Sequence, residues 1–123
     1  MKSTKKPRRI EPRTVFLLSC EGRTALRKRP TKGLLAGLWE LPSTDGALSP
    51  AQAREHLAAW GLNAGQLLSL RPAKHIFTHI EWHMTGYYAE CTAGAKGFTW
   101  APGQLRDEYA LPSAFRPFLE VLG

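Results

Sequence analysis

Residues 33–42 read GLLAGLWELP, and this stretch says more about the fold than any other part of the sequence. Its first half belongs to a loop predicted over Pro30–Gly37. The apolar run Leu38–Leu41 is long enough for a short strand and too short for a helix. Pro42 ends the strand, because proline cannot donate to the hydrogen bonds of a sheet.

A helix is predicted shortly after this strand. Ser49 suits the N-cap, Pro50 the first turn and Gln52 the capping-box position. Gly61 closes the helix. Three residues fall on one apolar face at helical spacing: Ala53, Leu57 and Trp60.

Most other elements are predicted to be strands. The residues from Ile80 onward alternate between apolar and polar side chains, the two-residue period of a half-buried strand. A last helix begins near Arg116, before Pro117. The other predicted strands are Thr14–Cys20, Arg23–Arg29, Leu67–Leu70 and Phe98–Ala101. This order predicts an α/β (α+β) sandwich with a mixed, largely antiparallel sheet and two main helices.

The charge is uneven along the 123 residues, whose net charge is +7. Residues 1–32 hold eleven basic and two acidic side chains, whereas residues 33–123 hold six basic and eight acidic ones. Such a split favours a polyanionic partner, most often nucleic acid. Residues 1–12 are predicted to be a basic tail or linker, either solvated or DNA-binding, and residues 13–123 a single domain.

Other classes of protein are disfavoured by composition. No apolar run approaches the roughly 20 residues that cross a bilayer. Cys20 and Cys91 give neither a disulfide framework nor a metal-binding spacing. We expect a monomer in the cytoplasm.

The order Gly-x-Trp-x-x-Pro, loop and helix resembles the active-site region of Nudix hydrolases. In that family the helix carries Arg-Glu, then two further glutamates, then glycine. Arg54-Glu55 and Gly61 match here, but alanine occupies the two glutamate positions, Ala58 and Ala59. Because Mg²⁺ requires charged oxygen ligands, the resemblance implies a Nudix-like fold without hydrolysis. Glu40, Asp45 and Glu55 would leave a remnant acidic cluster.

Four features in order give a narrower resemblance: Arg27–Pro30, Gly33–Pro42, His75–His79 and Ala110–Ser113. Together they are similar to the C-terminal domain of bacterial A/G-specific adenine DNA glycosylases, the MutY family. The resemblance implies recognition of 8-oxoguanine opposite adenine in duplex DNA, and association with the nucleoid.

The resemblance also implies a partner, the N-terminal catalytic domain of the same enzyme. In the family that domain carries the catalytic acids and a four-cysteine iron–sulfur cluster. Two cysteines cannot hold such a cluster. We therefore expect no cofactor and no catalytic residue in this chain, which would be a recognition domain cut in the interdomain linker.

The most specific element is Phe77-Thr78-His79. 8-Oxoguanine differs from guanine by a carbonyl at C8 and an N–H at N7, which a hydroxyl or an imidazole can sense. Phe77 is either an aromatic face beside the base, a wedge packed beneath the loop, or part of the core. His79 either contacts a base edge or a phosphate or is a strand histidine with its hydrogen bonds satisfied. Arg29 and Lys74 are expected to contact the DNA with them.

Two other functions stay open: a divergent Nudix hydrolase of oxidised nucleotides, and a protein-interaction domain of a repair enzyme. The recurrence of His75, His79 and His83 does not predict a metal site, because no acid or cysteine joins them at ligand spacing. The four tryptophans are expected in the core: Trp39, Trp60, Trp82 and Trp100.

Overall fold

The computed structural model describes residues 8–32, 35–92, 97–102 and 111–119. The strands are β1 (Arg9–Cys20), β2 (Arg23–Lys28), β3 (Trp39–Glu40), β4 (Ser43–Asp45), β5 (Asn63–Ala64), β6 (Leu68–Ile76), β7 (Ile80–Thr92) and β8 (Thr99–Ala101). The helices are α1 (Pro50–Ala59) and α2 (Arg116–Leu119), the latter preceded by a 3-10 turn at Ser113–Phe115. In these ranges neither helix is long and apolar enough to cross a membrane.

Parts of several predicted features lie outside the described residues. They are residues 1–7 of the tail, Gly33 and Leu34 of the glycine loop, and Ala110.

The centre of the sheet is the pairing of β1 with β7. These strands run parallel, from Arg9 opposite Ile80 to Ser19 opposite Glu90. The other pairings in the described part are antiparallel: β1 with β2 and β4, β2 with β3 and β8, and β7 with β5 and β6. The predicted mixed, largely antiparallel sheet is confirmed.

The sheet buries a cluster of apolar side chains on each face, which confirms the predicted sandwich. Successive residues of a strand point to opposite faces. Val15 and Leu17 of β1 pack with Trp82 and Met84 of β7 against α2. On the other face, α1 covers a cluster that includes Phe16, Leu18, Leu57, Tyr87 and Ala89.

Helix α1 begins as predicted. The Ser49 side chain accepts a hydrogen bond from the backbone of Gln52, and the Gln52 side chain accepts one from the backbone of Ser49. Ala53 and Leu57 are buried, and Trp60 is half-buried with its edge against Phe16. Of the other tryptophans, Trp82 is buried, whereas two pack half-buried against the clusters: Trp39 and Trp100.

The prediction for the start of β1 was wrong. The strand begins at Arg9, not at Thr14, so residues 9–12 belong to the sheet and not to a tail. Their polar side chains gave no strand pattern. Pairing with β7 nevertheless extends this far, and the backbone N–H of Arg9 donates to the carbonyl of His79 at 3.1 Å.

The other differences concern short or interrupted strands. β6 continues to Ile76, past the predicted end of the strand at Leu70, so His75 lies in the strand. An irregularity between Leu70 and Ala73 accommodates Pro72, which is where sheets tolerate proline. The sequence did not predict β4 or β5, which have three and two residues. The start of α2 at Arg116 is confirmed.

We predict that Gly86→Ala destabilises the fold. A Cβ at Gly86 would lie 2.8 Å from Cδ1 of Phe118 and 3.2 Å from Cβ of Leu70, so α2 would have to shift. Overpacking of this kind costs about 1–3 kcal/mol, which denaturant unfolding would measure. Gly65→Ala is the control, because its Cβ would meet only the Glu90 carbonyl oxygen at 3.5 Å. Equal stabilities of the two variants would contradict the prediction.

Candidate nucleic-acid interface

Phe77, Thr78 and His79 form the tip of the hairpin that joins β6 to β7. The backbone N–H of Phe77 donates to the carbonyl of Ile80 at 2.7 Å, which closes the turn. The hydrogen bond from Arg9 to His79 ties the same turn to β1. The side chains of Thr78 and His79 are exposed. The tip therefore presents a hydroxyl and an imidazole to solvent on a backbone held from two sides.

Phe77 is half-buried beneath this tip. Its ring packs edge-on against Trp82, with 5.0 Å between the centroids, and against His75 at 4.8 Å. It belongs to the margin of the apolar cluster under α2. Edge-to-face contacts of this kind add about 0.5–1.5 kcal/mol to simple burial. Phe77 thus anchors the tip to the core.

Trp82 is itself fixed by charged neighbours. Its indole N–H donates to the Glu11 carboxylate at 3.3 Å. The guanidinium carbons of Arg13 and Arg29 lie 4.8 Å and 5.3 Å from the indole, within the range of cation–π attraction. Because the residue is only 1% exposed, these contacts leave the ring little freedom.

Arg29 points into the molecule. Its guanidinium donates to the Glu40 carboxylate at 2.9 Å, and Arg27 donates to the same carboxylate at 3.1 Å. The hydroxyl of Ser43 adds a third hydrogen bond at 3.2 Å. The Arg29 side chain is only 12% exposed. The structure therefore places Arg29 in an internal ion pair under Trp82. Lys74 is the other basic residue predicted to contact DNA, and its side chain is 58% exposed.

The acidic residues proposed as a remnant cluster do not assemble. Glu40 is buried between two arginines, Asp45 pairs with Arg13 at 2.6 Å, and Glu55 lies exposed on α1. Among the residues that the structure describes, no three histidine, cysteine, aspartate or glutamate side chains are grouped so as to hold a metal ion.

A second charged group, which sequence reasoning did not predict, is centred on Glu81. Its carboxylate accepts hydrogen bonds from His83 at 2.8 Å and Arg8 at 3.3 Å, and lies 3.8 Å from Nζ of Lys74. The hydrogen bond from His83, followed by that from Arg8, lowers the pKa of Glu81. The alternation of β7 could have placed Glu81 and His83 on one face, but their partners come from other strands.

An open groove of about 410 Å³ continues this charged group along the sheet. Lys74 and His83, which are opposite each other on β6 and β7, form part of its wall. Pro12 and Pro72 form much of the rest. Trp82 points to the other face of the same strand, toward α2. The hairpin thus carries aromatic packing on one face and charge on the other.

The model of the NUDIX domain family matches residues 14–121. The chain therefore belongs to the NUDIX domain family.

Three solved structures resemble the chain in fold. The MutT NUDIX hydrolase from Burkholderia pseudomallei is 22% identical, with a TM-score of 0.71 over 91% of this chain and 97% of that one. The C-terminal domain of mouse MUTYH, solved in complex with human PCNA, is 23% identical, with a TM-score of 0.67 over 91% and 86%. The E. coli ORF135 protein is 19% identical, with a TM-score of 0.66 over 92% and 88%.

We predict that Glu81 titrates below its ordinary pKa of 4.5 and that His83→Ala raises this pKa, because the variant removes its strongest hydrogen bond. A carboxylate whose pKa is lowered by folding stabilises the protein at pH values above its ordinary pKa. This stabilisation is lost as the pH falls through the lowered pKa. NMR titration of the carboxylate would measure the shift. An unaltered Glu81 pKa in His83→Ala would show that the hydrogen bond is not its cause.

Proposed function

We propose that this chain recognises 8-oxoguanine opposite adenine in duplex DNA, as the C-terminal domain of an adenine DNA glycosylase, with no catalysis of its own. The observation that carries the proposal is the exposure of Thr78 and His79 at a tip held firmly by Phe77 and Arg9. A base-reading group must be accessible to solvent and must also be held in place.

The chemistry of the tip suits the lesion. Guanine offers a lone pair at N7, whereas 8-oxoguanine offers an N–H at N7 and a carbonyl oxygen at C8. The Thr78 hydroxyl can accept from that N–H or donate to that oxygen, and the neutral His79 ring has one donor and one acceptor. Phe77 serves as the anchor of the tip, since its ring is packed against Trp82.

The basic residues divide into two roles. Lys74 is exposed near the tip and is available to DNA phosphates, which supply most of the affinity of such interfaces. Arg29 acts indirectly, by holding Glu40 and contacting the ring of Trp82 on which Phe77 rests.

The likeness in fold to the C-terminal domain of mouse MUTYH agrees with this assignment, as do the sequence motifs around the tip. The proposed partner within the enzyme is its N-terminal catalytic domain, which in the family carries the iron–sulfur cluster. The proposed setting is the bacterial cytoplasm at the nucleoid, with the domain monomeric.

We predict that Thr78→Val and His79→Ala reduce the preference for 8-oxoguanine over guanine. Each variant removes groups that can hydrogen-bond a base edge, a loss worth about 1–3 kcal/mol of discrimination. The measurement is binding to two duplexes that differ only in the base opposite adenine, in the chain alone and joined to its catalytic domain.

Thr92→Val is the matched control, because Thr92 is an exposed threonine at the other end of β7. Lys74→Ala should weaken binding to both duplexes alike, since a phosphate contact carries no base information. If Thr78→Val and His79→Ala lower both affinities equally, the tip does not read the lesion.

We also predict no magnesium-dependent hydrolysis of oxidised nucleoside triphosphates by this chain. Ala58 and Ala59 supply no carboxylates, and Glu40 is neutralised by two arginines. Release of pyrophosphate would be measured against a protein-free control. Turnover that disappears in Glu55→Gln would favour a divergent hydrolase instead.

A second candidate function is a protein-interaction domain, because the C-terminal domain of mouse MUTYH was solved with human PCNA. Ile10 and Ile76 are exposed by 56% and 50% on either side of Glu81 and would suit such a contact. Binding of a repair protein through these isoleucines, without any lesion preference, would favour this function.

A further inference from the structure

The Glu81 carboxylate is recessed beneath three basic side chains that reach solvent. The Glu81 side chain is 15% exposed, whereas those of Arg8, Lys74 and His83 are 42%, 58% and 44% exposed. Ile10 and Ile76 flank Glu81 in the same cross-strand row. A ligand that approaches this face therefore meets the basic groups before the carboxylate.

This group lies close to the hairpin tip. Its basic groups converge on Glu81, which is two residues from His79, and Arg8 directly precedes Arg9, whose N–H donates to the His79 carbonyl. A strand rises about 3.3 Å per residue, so the charged group lies about 7 Å along β7 from the tip. This inference rests on the function proposed above: a tip that contacts a base edge inside a major groove about 12 Å wide would leave the basic groups beside the sugar-phosphate backbone at its margin.

The same donors cannot serve Glu81 and a phosphate at once. Carboxylate and phosphate oxygens accept the same charge-assisted hydrogen bonds from arginine and lysine. A phosphate must therefore displace Glu81 from Arg8 and Lys74, and must then stay close to the remaining negative charge. Exposed ion pairs contribute little to folding, so the fold does not depend on keeping them.

We propose that Arg8, Lys74 and His83 form a phosphodiester-binding site and that Glu81 is its internal competitor, which limits the affinity of this domain for DNA regardless of sequence. A genome offers about 10⁶–10⁹ competing undamaged sites. A domain that searches for a rare base must leave these sites quickly, and a carboxylate that competes for its cations achieves this. The base contacts at Thr78 and His79 are unaffected, so the competitor does not alter lesion preference.

The test is Glu81→Gln in the full chain, measured on undamaged duplex from 50 to 200 mM salt. Glutamine keeps the shape and removes the charge. Each additional phosphate contact steepens the slope of log K against log salt by about 0.9. Release of Arg8 and Lys74 should therefore steepen the slope by up to about 1.8. Between 50 and 200 mM salt the variant should then lose about tenfold more affinity than the wild type loses. At 50 mM salt the variant should bind more tightly than the wild type.

Glu90→Gln is the matched control, because Glu90 is an exposed glutamate of the same strand, far from the tip. It makes the same change in net charge and should leave the slope unaltered. Adding Lys74→Ala to Glu81→Gln should remove about half of the gain in slope. Equal effects of the two glutamine variants would show that net charge alone acts, and would overturn the proposal.

Two further outcomes are decisive. If Glu81→Gln lowers the melting temperature more than Glu90→Gln and does not improve binding, Glu81 is structural and the proposal is wrong. If the wild type shows no preference for 8-oxoguanine, the lesion-reading function fails. The Glu81 result on undamaged duplex still decides whether the phosphate site exists.

Discussion

The parallel pairing of β1 with β7 is the constraint on which the rest of the structure depends. It runs for eleven residue pairs and gives both central strands two buried faces over much of their length. It also places Glu11 beside Trp82 and brings the N–H of Arg9 to the carbonyl of His79. The position of the hairpin tip is thus fixed by a contact between residues about seventy positions apart.

Glu40, one of the residues predicted to form an acidic cluster, is instead the centre of an internal ion-pair network. Glu40 is 2% exposed and accepts from two arginines and a serine, an arrangement in which each charge compensates the cost of burying the others. Three of the roughly four lone-pair sites of the Glu40 carboxylate are used by these hydrogen bonds, and two arginines compensate its charge, so it is a poor ligand for a divalent ion. The same arginines extend to the indoles: Arg29 to Trp82 and Arg27 to Trp60. Arg29 thus contacts the ring on which Phe77 rests, whereas Arg27 contacts a ring of the cluster beneath α1.

The parts of the structure that were predictable from the sequence are those governed by local rules. Helix α1 is determined by its capping box and apolar face, and β7 by strict alternation, so both were predicted. The first residues of β1 and the end of β6 were missed because only pairing with β7 makes polar or proline-containing segments into strands. Likewise, sequence can identify Arg29 as basic but cannot show that its side chain turns inward, and it cannot bring Arg8 and Lys74 to Glu81.

Strand β7 allows one short segment to carry two separate tasks. Glu81 and Trp82 are neighbours in sequence, yet they point to opposite faces of the sheet. Trp82 is packed among Phe77, Arg13 and Phe115 and sets where the tip lies, whereas Glu81 sets how strongly nearby cations attract an anion. A change at Glu81 alters charge without moving the tip, because no aromatic contact passes through it. In the function proposed above, base recognition at the tip and affinity for the DNA backbone at Glu81 can therefore be adjusted independently, although Glu81 is only two residues from His79.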